Sequence, residues 1–492
     1  MISWNVILFS VYHVIVILAI IHVVMDNRQP AKTMAWALVI WFVPVVGLLF
    51  YLFFGLNTRK EKFISQRSLD QLSKRSMLEF VEQKDLQLPA EHRQLIDLFV
   101  NENFSLPFKD NQVTVYDDGY AFFPALLAEI AKAERHIHID MYIFAEDPLG
   151  MLLSDALIDK ARQGVEVRLI YDDVGCWNVS HAFFDRMRDE GVEVVSFLPV
   201  RFPSFTSKVN YRNHRKLIVI DGQVGFIGGM NVALRYVKGT GTQPWRDTML
   251  RVEGMGVYGL QRAFLIDWYF CDRTLISDRK YYPSSHGDRN DVMSEISHTF
   301  LSPCEASGSS TLTQTVTSGP VAPYPEIMQG YVRIILSAKR YVYLETPYFL
   351  PTEPVLFALK TASVAGVDVR IIVPYRSDAK WVEWASRSYL REVVESGVTV
   401  MLYQAGFLHS KLLVCDDSIC SCGSTNVDIR SFENNFESNI FLYGETAAQQ
   451  LRALFEADEK QSVNLQDIPQ RMHPKFMKRL WESMVRMLSP LM

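Results

Sequence analysis

The chain has 492 residues, of which 49% are hydrophobic and 21% charged, and its formal net charge is −5. That length accommodates two core-forming domains, and an acidic balance with no long basic run argues against a nucleic-acid partner. The six cysteines (Cys176, Cys271, Cys304, Cys415, Cys420, Cys422) are scattered, which fits free thiols in a reducing compartment better than a disulfide framework or a CxxC zinc knuckle.

No charged side chain occurs from Met1 to Met25 or from Thr33 to Thr58. Each stretch exceeds the ~20 apolar residues a helix needs to cross a bilayer. A cleaved signal peptide would show a basic start and a small-residue cleavage site, and neither is present. The expectation is a transmembrane hairpin over 1–58. Its short connector carries Arg28 and Lys32, whereas Arg59, Lys60, Lys62, Arg67, Lys74 and Arg75 follow the second span. The positive-inside rule then puts the C-terminal region in the cytoplasm.

Residues 59–110 read as a juxtamembrane segment. From about 111 a strand–helix–strand pattern begins, and it occurs twice. The first pass holds the strands HIHIDMYIF, VEVRLIYDD and VEVVSF, separated by helices that end at Gly164 and Gly191. The second holds YVYLETPYF, VDVRIIVPY and VTVMLY, with helices ending at Gly366 and Gly397. A glycine at that position suits a left-handed helix cap. The expected fold is α/β, a duplicated domain with pseudo-twofold symmetry spanning 111–280 and 310–492, joined by a polar linker at 281–309. The repeat also tests His136 and His138, which could ligate a metal from one strand face. Their counterparts are Tyr341 and Tyr343, so the histidines read as structural.

Each half carries the pattern His-x-Lys-x₄-Asp on an apolar strand. The first is His214, Lys216 and Asp221; the second is His409, Lys411 and Asp416. Asn231 and Asn426 follow at matching distances in GGMN and GSTN. Residues i and i+2 of a strand face the same side, so His and Lys project together. If the halves pack about a twofold axis, two imidazoles and two ammonium groups meet in one pocket. One His can attack a phosphodiester while the other protonates the departing alcohol. The lysines neutralise charge and the asparagines donate hydrogen bonds, so no metal or other cofactor is expected. Glu437 and Asp247 are the candidates to separate the two imidazole pKa values, although Asp247 also reads as an ion-pair partner of Arg246. Asp221 and Asp416 close each motif and either take part in catalysis or brace the strand.

These motifs resemble those of the phospholipase D superfamily, and the flanking sequence is similar to its bacterial cardiolipin synthase branch. The resemblance rests on PAKTMAWALVIWFVPVVGLLFYLFFG, PWRDTMLRVEG, TPYFLP, DIRSFENNFE and LSPLM, and it covers nearly the whole chain. It implies a membrane-embedded phosphatidyltransferase acting on phosphatidylglycerol in the bacterial inner membrane, through a phosphatidyl-histidine intermediate. It further implies His214 as nucleophile and His409 as acid. Hydrolysis of phosphodiesters on the same fold is the alternative, and the acceptor alcohol and oligomeric state stay open. Family members often carry a hydroxyl after the first glycine of the turn. Ser424 has it and Gly229 does not, so any hydroxyl contact to phosphate is expected on one side only.

Overall fold

The computed structural model describes residues 4–25, 30–43, 45–51, 55, 86–200, 210–241, 243–282, 311–322 and 324–491. Arg28, the basic cluster from Arg59 to Arg75, Cys304, residues 201–209 and most of the expected linker lie outside these.

Helices α1 (Trp4–Met25) and α2 (Pro30–Phe42) pack together through Val16, Val23 and Ile40. Phe9, Val14, Leu18, Met34, Leu38 and Trp41 face outward and are exposed. Among the described residues, no helix is long and apolar enough to cross a membrane.

The α/β body begins earlier than the repeat pattern indicates. Helix α3 (Arg93–Asn103) is amphipathic and buries Leu95, Ile96 and Phe99 in the core of the second half. Gly330 makes room for this contact, since a β-carbon there would collide with the Phe99 ring.

The first half then supplies β1 (Pro107–Tyr116), β2 (His136–Met141), β3 (Glu166–Asp172), β4 (Glu193–Phe197), β5 (Lys216–Ile220), β6 (Val224–Gly228) and β7 (Met249–Glu253). The second supplies β8 (Thr311–Ser318), β9 (Tyr341–Glu345), β10 (Asp368–Pro374), β11 (Thr399–Tyr403), β12 (Leu412–Cys415), β13 (Ile419–Gly423), β14 (Glu437–Tyr443) and β15 (Ser462–Asn464). All fifteen form one sheet, in the order β4-β3-β2-β5-β6-β7-β1-β8-β14-β13-β12-β9-β10-β11-β15. Read outward from its centre, the two sides repeat the same order, and β15 is an addition at one edge. The duplicated α/β fold expected from the sequence is the fold observed.

The seam is antiparallel pairing of β1 with β8, with Phe108 opposite Thr313. Strands β2–β3–β4 and β9–β10–β11 are parallel, as their unbroken apolar runs require, and their helices close the connections. Asp118, Asp147 and Ser180 accept backbone N–H bonds at helix N-termini. Gly164, Gly191, Gly366 and Gly397 all have φ near +90°, at 90°, 93°, 94° and 94°.

Two pairings place the site. Strand β5 runs antiparallel to β2 with Lys216 opposite Met141, and β12 runs antiparallel to β9 with Leu412 opposite Glu345. The start of each motif strand therefore lies at the C-terminal edge of the parallel strands.

Candidate active site

The segments leading into β5 and β12 reach across to the other half. The residue before each His bridges, in parallel, the residue before an acid of the opposite half: Asn213 with Phe436, and Leu408 with Arg246. The His214 N–H donates to Phe436 O at 2.9 Å, and the His409 N–H donates to Arg246 O at 2.7 Å. Glu437 and Asp247 are the next residues along, so each meets an imidazole it does not share a half with. Nδ1 of His214 lies 3.0 and 3.1 Å from the Glu437 carboxylate oxygens. Nδ1 of His409 lies 2.6 Å from Asp247 Oδ2.

A carboxylate is only an acceptor, so it fixes the imidazole proton on Nδ1 and leaves Nε2 as the reactive nitrogen. The two sides differ in one respect. Both lysines donate to the carbonyl of their own motif histidine, but Lys411 Nζ also approaches His409 Nδ1, at 2.7 Å.

The carboxylates are themselves held. Ser424 Oγ donates to Glu437 at 2.5 Å and Asn435 Nδ2 at 3.2 Å. The Ser424 hydroxyl is thus directed at the acid, not outward to a ligand. Thr248 N–H donates to Asp247 Oδ1 at 2.8 Å. Gly229 occupies the place of Ser424 in the first half, and a β-carbon there would collide with the Asp247 carboxylate. The asymmetry seen in the sequence is a matter of space for Asp247. That acid does not pair with its neighbour Arg246, which reaches Asp458 at 2.9 Å.

Asn231 and Asn426 are buried and used internally. Asn231 donates to the Tyr236 hydroxyl at 2.8 Å and accepts from Ile143 N–H at 3.1 Å; the Asn426 side chain stands by the Asp428 carboxyl and helps hold its pKa down against burial. Asp221 and Asp416 are elsewhere. They stand at the far ends of their strands, roughly 17 Å from the paired lysines at ~3.4 Å per residue. Asp221 accepts the backbone N–H groups of Glu134, Arg135 and His136 at 2.8, 2.8 and 2.9 Å. Asp416 accepts those of Lys339, Arg340 and Tyr341 at 2.7, 2.9 and 2.8 Å. Both have positive φ, 54° and 53°, which Asp tolerates better than most residues. The motif-closing acids are turn-formers that anchor the chain entering β2 and β9, and a catalytic role for them is not supported.

His136 and His138 bond to Gln261, and Arg168 donates to His138 at 3.2 Å. They belong to the scaffold.

Sequence reasoning missed the aromatic wall. Tyr142 stands edge-on to His214 at 4.9 Å, and Trp245, Phe407, Tyr236 and Tyr348 surround His409 at 5.3, 5.8, 5.9 and 6.4 Å. Proximity to the motifs in MYIF, PWRD and GFLH was the available signal. These rings exclude water, and the titrations respond. Burial pushes His214 down to about 4 against the pull of Glu437. Burial and then Lys411 push His409 to about 3. The two imidazoles are therefore alike, because each has a carboxylate of its own. Carboxylates that served one side only would have separated them. Burial also lowers Lys216 to about 7, and Lys411 in the same direction. Burial would raise both acids, but His214 and Lys216 hold Glu437 below the usual range, and Lys411 and His409 do so for Asp247.

Comparison with known proteins identifies the family. A family profile described as "Cardiolipin synthase, PLD-like domain" matches residues 126–241 and 331–459, one match in each half. A second, "Phospholipase D-nuclease N-terminal", matches 14–55. The chain is 36% identical to the major cardiolipin synthase ClsA of Bacillus subtilis, over 99% of each protein. The chain belongs to the cardiolipin synthase family. It is 39% identical to the cardiolipin synthase of Geobacillus kaustophilus, covering 95% of this chain and 90% of that one. The cardiolipin synthase fold is also seen in a solved structure, the phosphatidylserine synthase of Haemophilus influenzae Rd KW20. It has a TM-score of 0.60 and 15% identity, over 81% of this chain and all of that one.

Proposed function

We propose that this cardiolipin synthase family enzyme transfers a phosphatidyl group from one phosphatidylglycerol to another, giving cardiolipin and glycerol. The observation that carries the reading is the exchange of carboxylates between halves, which arms two imidazoles in one dry site. His214 is the nucleophile, because Glu437 alone holds its Nδ1, whereas at His409 the Lys411 ammonium crowds Nδ1 beside Asp247. Nε2 attacks phosphorus, the bond from phosphorus to the glycerol headgroup oxygen breaks, and protonated His409 gives its proton to that oxygen. His409, now neutral, takes the proton from the hydroxyl of a second phosphatidylglycerol. That oxygen attacks phosphorus and the N–P bond breaks, freeing His214.

Charge balance supplies the acid. Two ammonium groups face two carboxylates, so a bound phosphodiester adds one uncompensated negative charge in a low-dielectric site. Protonation of one imidazole cancels it. Lys216 and Lys411 neutralise the developing phosphorane, while Asn231, Asn426 and Ser424 orient the groups around them.

The hairpin formed by α1 and α2 lies in the bacterial inner membrane, with the catalytic body on the cytoplasmic side. Its exposed apolar side chains and the basic residues after the second span support that placement.

The test is purified protein in phosphatidylglycerol vesicles without added metal, with lipid products and released headgroup measured together. Cardiolipin and glycerol in equal amounts are expected. Phosphatidic acid with glycerol would mean that water is the acceptor and the reading fails.

A further inference from the structure

The C-terminal helix sits on the body the wrong way round for a helix facing water. Strand β10 leads into a helix at Lys380–Glu395, and the helix at Phe476–Arg486 packs along it. The inward residues of the C-terminal helix include an acid. Glu482 is 0% exposed, with its carboxylate 2.7 Å from Arg391 and 3.6 Å from Arg387. Arg486 adds a pair with Glu392 at 2.7 Å. Facing outward are Phe476, Met477, Leu480, Trp481, Met484 and Met487, repeating at helical spacing. Phe476 is 76% exposed and Met487 80%.

Ion pairs hold this helix down while its apolar face is left uncovered. Exposed Lys475, Lys478 and Arg479 sit among the apolar side chains, and Glu482 is the one acid between Lys475 and the last residue. Trp481 joins Trp381 and Trp384 in a cluster with ring centroids 5.4 to 5.8 Å apart. An apolar face rimmed by cations and tryptophan matches the boundary of an anionic bilayer in charge and in polarity.

The face also borders the site. Tyr348, which stands against His409, donates its hydroxyl to Asp378 at 2.9 Å, three residues before Trp381. The final turn, Ser489–Leu491, packs on the short helix Ile429–Glu433 that follows Asn426 and Asp428. In the other half, the corresponding loop after β3 exposes Trp177 to 66%, next to Cys176, whose thiol approaches Tyr142 O. Each half therefore presents a tryptophan in the connection that follows its second parallel strand, Trp177 in a loop and Trp381 in the first turn of a helix, at the edge where the histidines lie.

We propose that the C-terminal helix, with Trp381 and Trp177, is a docking face that seats the mouth of the catalytic site on an anionic bilayer surface. This rests on the reading that the substrate is an anionic phospholipid. It adds a second contact to the hairpin, and that contact fixes the orientation of the catalytic body over the membrane. Substrate then enters along the face, with its headgroup reaching the lysines before its chains leave the bilayer.

The test uses the full chain in nanodiscs of phosphatidylglycerol or of phosphatidylcholine, with hydroxyl-radical footprinting of Met477, Met484 and Met487. Several-fold slower oxidation in phosphatidylglycerol is expected. Equal oxidation in the two lipids would overturn the proposal. So would protection that grows with protein concentration in phosphatidylcholine, since a second copy of the chain would then cover the face. A variant carrying Met477→Ser, Leu480→Ser, Trp481→Ser and Met484→Ser should lose at least ten-fold in rate on vesicles. On short-chain phosphatidylglycerol below its micelle concentration its rate should stay within two-fold of wild type. Undiminished turnover on vesicles would overturn the docking role. Wild-type protein that is protected in phosphatidylglycerol but turns over neither substrate would remove the reading of the reaction and leave the docking face standing.

Discussion

Glu437 lies on β14 in the second half, yet its carboxylate sits 3.0 Å from Nδ1 of His214 in the first. Asp247 and His409 repeat the relationship in the opposite direction at 2.6 Å. Neither half contains a working His–carboxylate pair of its own.

Removing either carboxylate charge should therefore damage the reaction without removing the histidine. Glu437→Gln and Asp247→Asn leave the shape but allow the ring to adopt the other tautomer. A fall in kcat of about 10²–10⁴-fold is expected, by analogy with the buried Asp of a serine protease triad. Near-normal kcat in both variants would sink the pairing as a catalytic device.

The two histidines should separate in a trapping experiment. His214→Ala should form no covalent lipid adduct. His409→Ala retains the nucleophile, and with a donor whose leaving group needs no proton it should accumulate phosphatidyl-protein on His214. Adduct mapped to His409 in the His214→Ala protein would reverse the roles.

Gly229→Ala places a β-carbon against the Asp247 carboxylate. The acid must move, and His409 loses its partner while the fold keeps its core. We expect kcat to fall by at least ten-fold with Tm changed by only a few degrees. Unchanged kcat would show that Asp247 tolerates displacement.

Asp221→Asn tests the bracing role. The carboxylate accepts three backbone N–H groups, and the amide replaces a charged acceptor with a weaker one. Loss of such charge-assisted bonds costs roughly 1–3 kcal/mol. Thermal unfolding should register that loss, while turnover per folded molecule stays close to wild type.

Lys216 sets the alkaline limit. Burial places it at about 7 in the free protein, so it is an ammonium below that pH and loses its proton above it. Phosphodiester capture needs the charge, so kcat/KM should decline as pH rises through about 7. Lys216→Arg stays protonated, so its profile should lose that limb even though its rate is lower. A profile flat to pH 9 in the wild type would contradict the assignment.

Much of this was visible along the chain. The repeated motifs and the four helix-ending glycines gave the duplication. The candidates His214, His409, Glu437 and Asp247 were all present in the pattern. Their pairing was not, because it depends on β1 joining β8 and on two short bridges between halves. Position in sequence carries no trace of those contacts. The same reason hid the packing of Phe99 on the second half. The motif-closing Asp221 and Asp416 mislead in another way: they repeat with the catalytic residues because the turn that starts each hairpin repeats with them.

The exchange of carboxylates also bears on how such a site could first arise. A single half, standing alone, would hold an imidazole without its acid and an acid without its imidazole. It could carry out neither chemical step until it met a copy of itself, so its rate would rise with the square of its concentration when dilute. Joining the copies in one polypeptide turns that encounter into an intramolecular one and makes activity proportional to the amount of chain. It also releases the two halves from being identical. Gly229 and Ser424 occupy equivalent places but accommodate different acids, a divergence that a self-paired ancestor with one sequence could not have expressed.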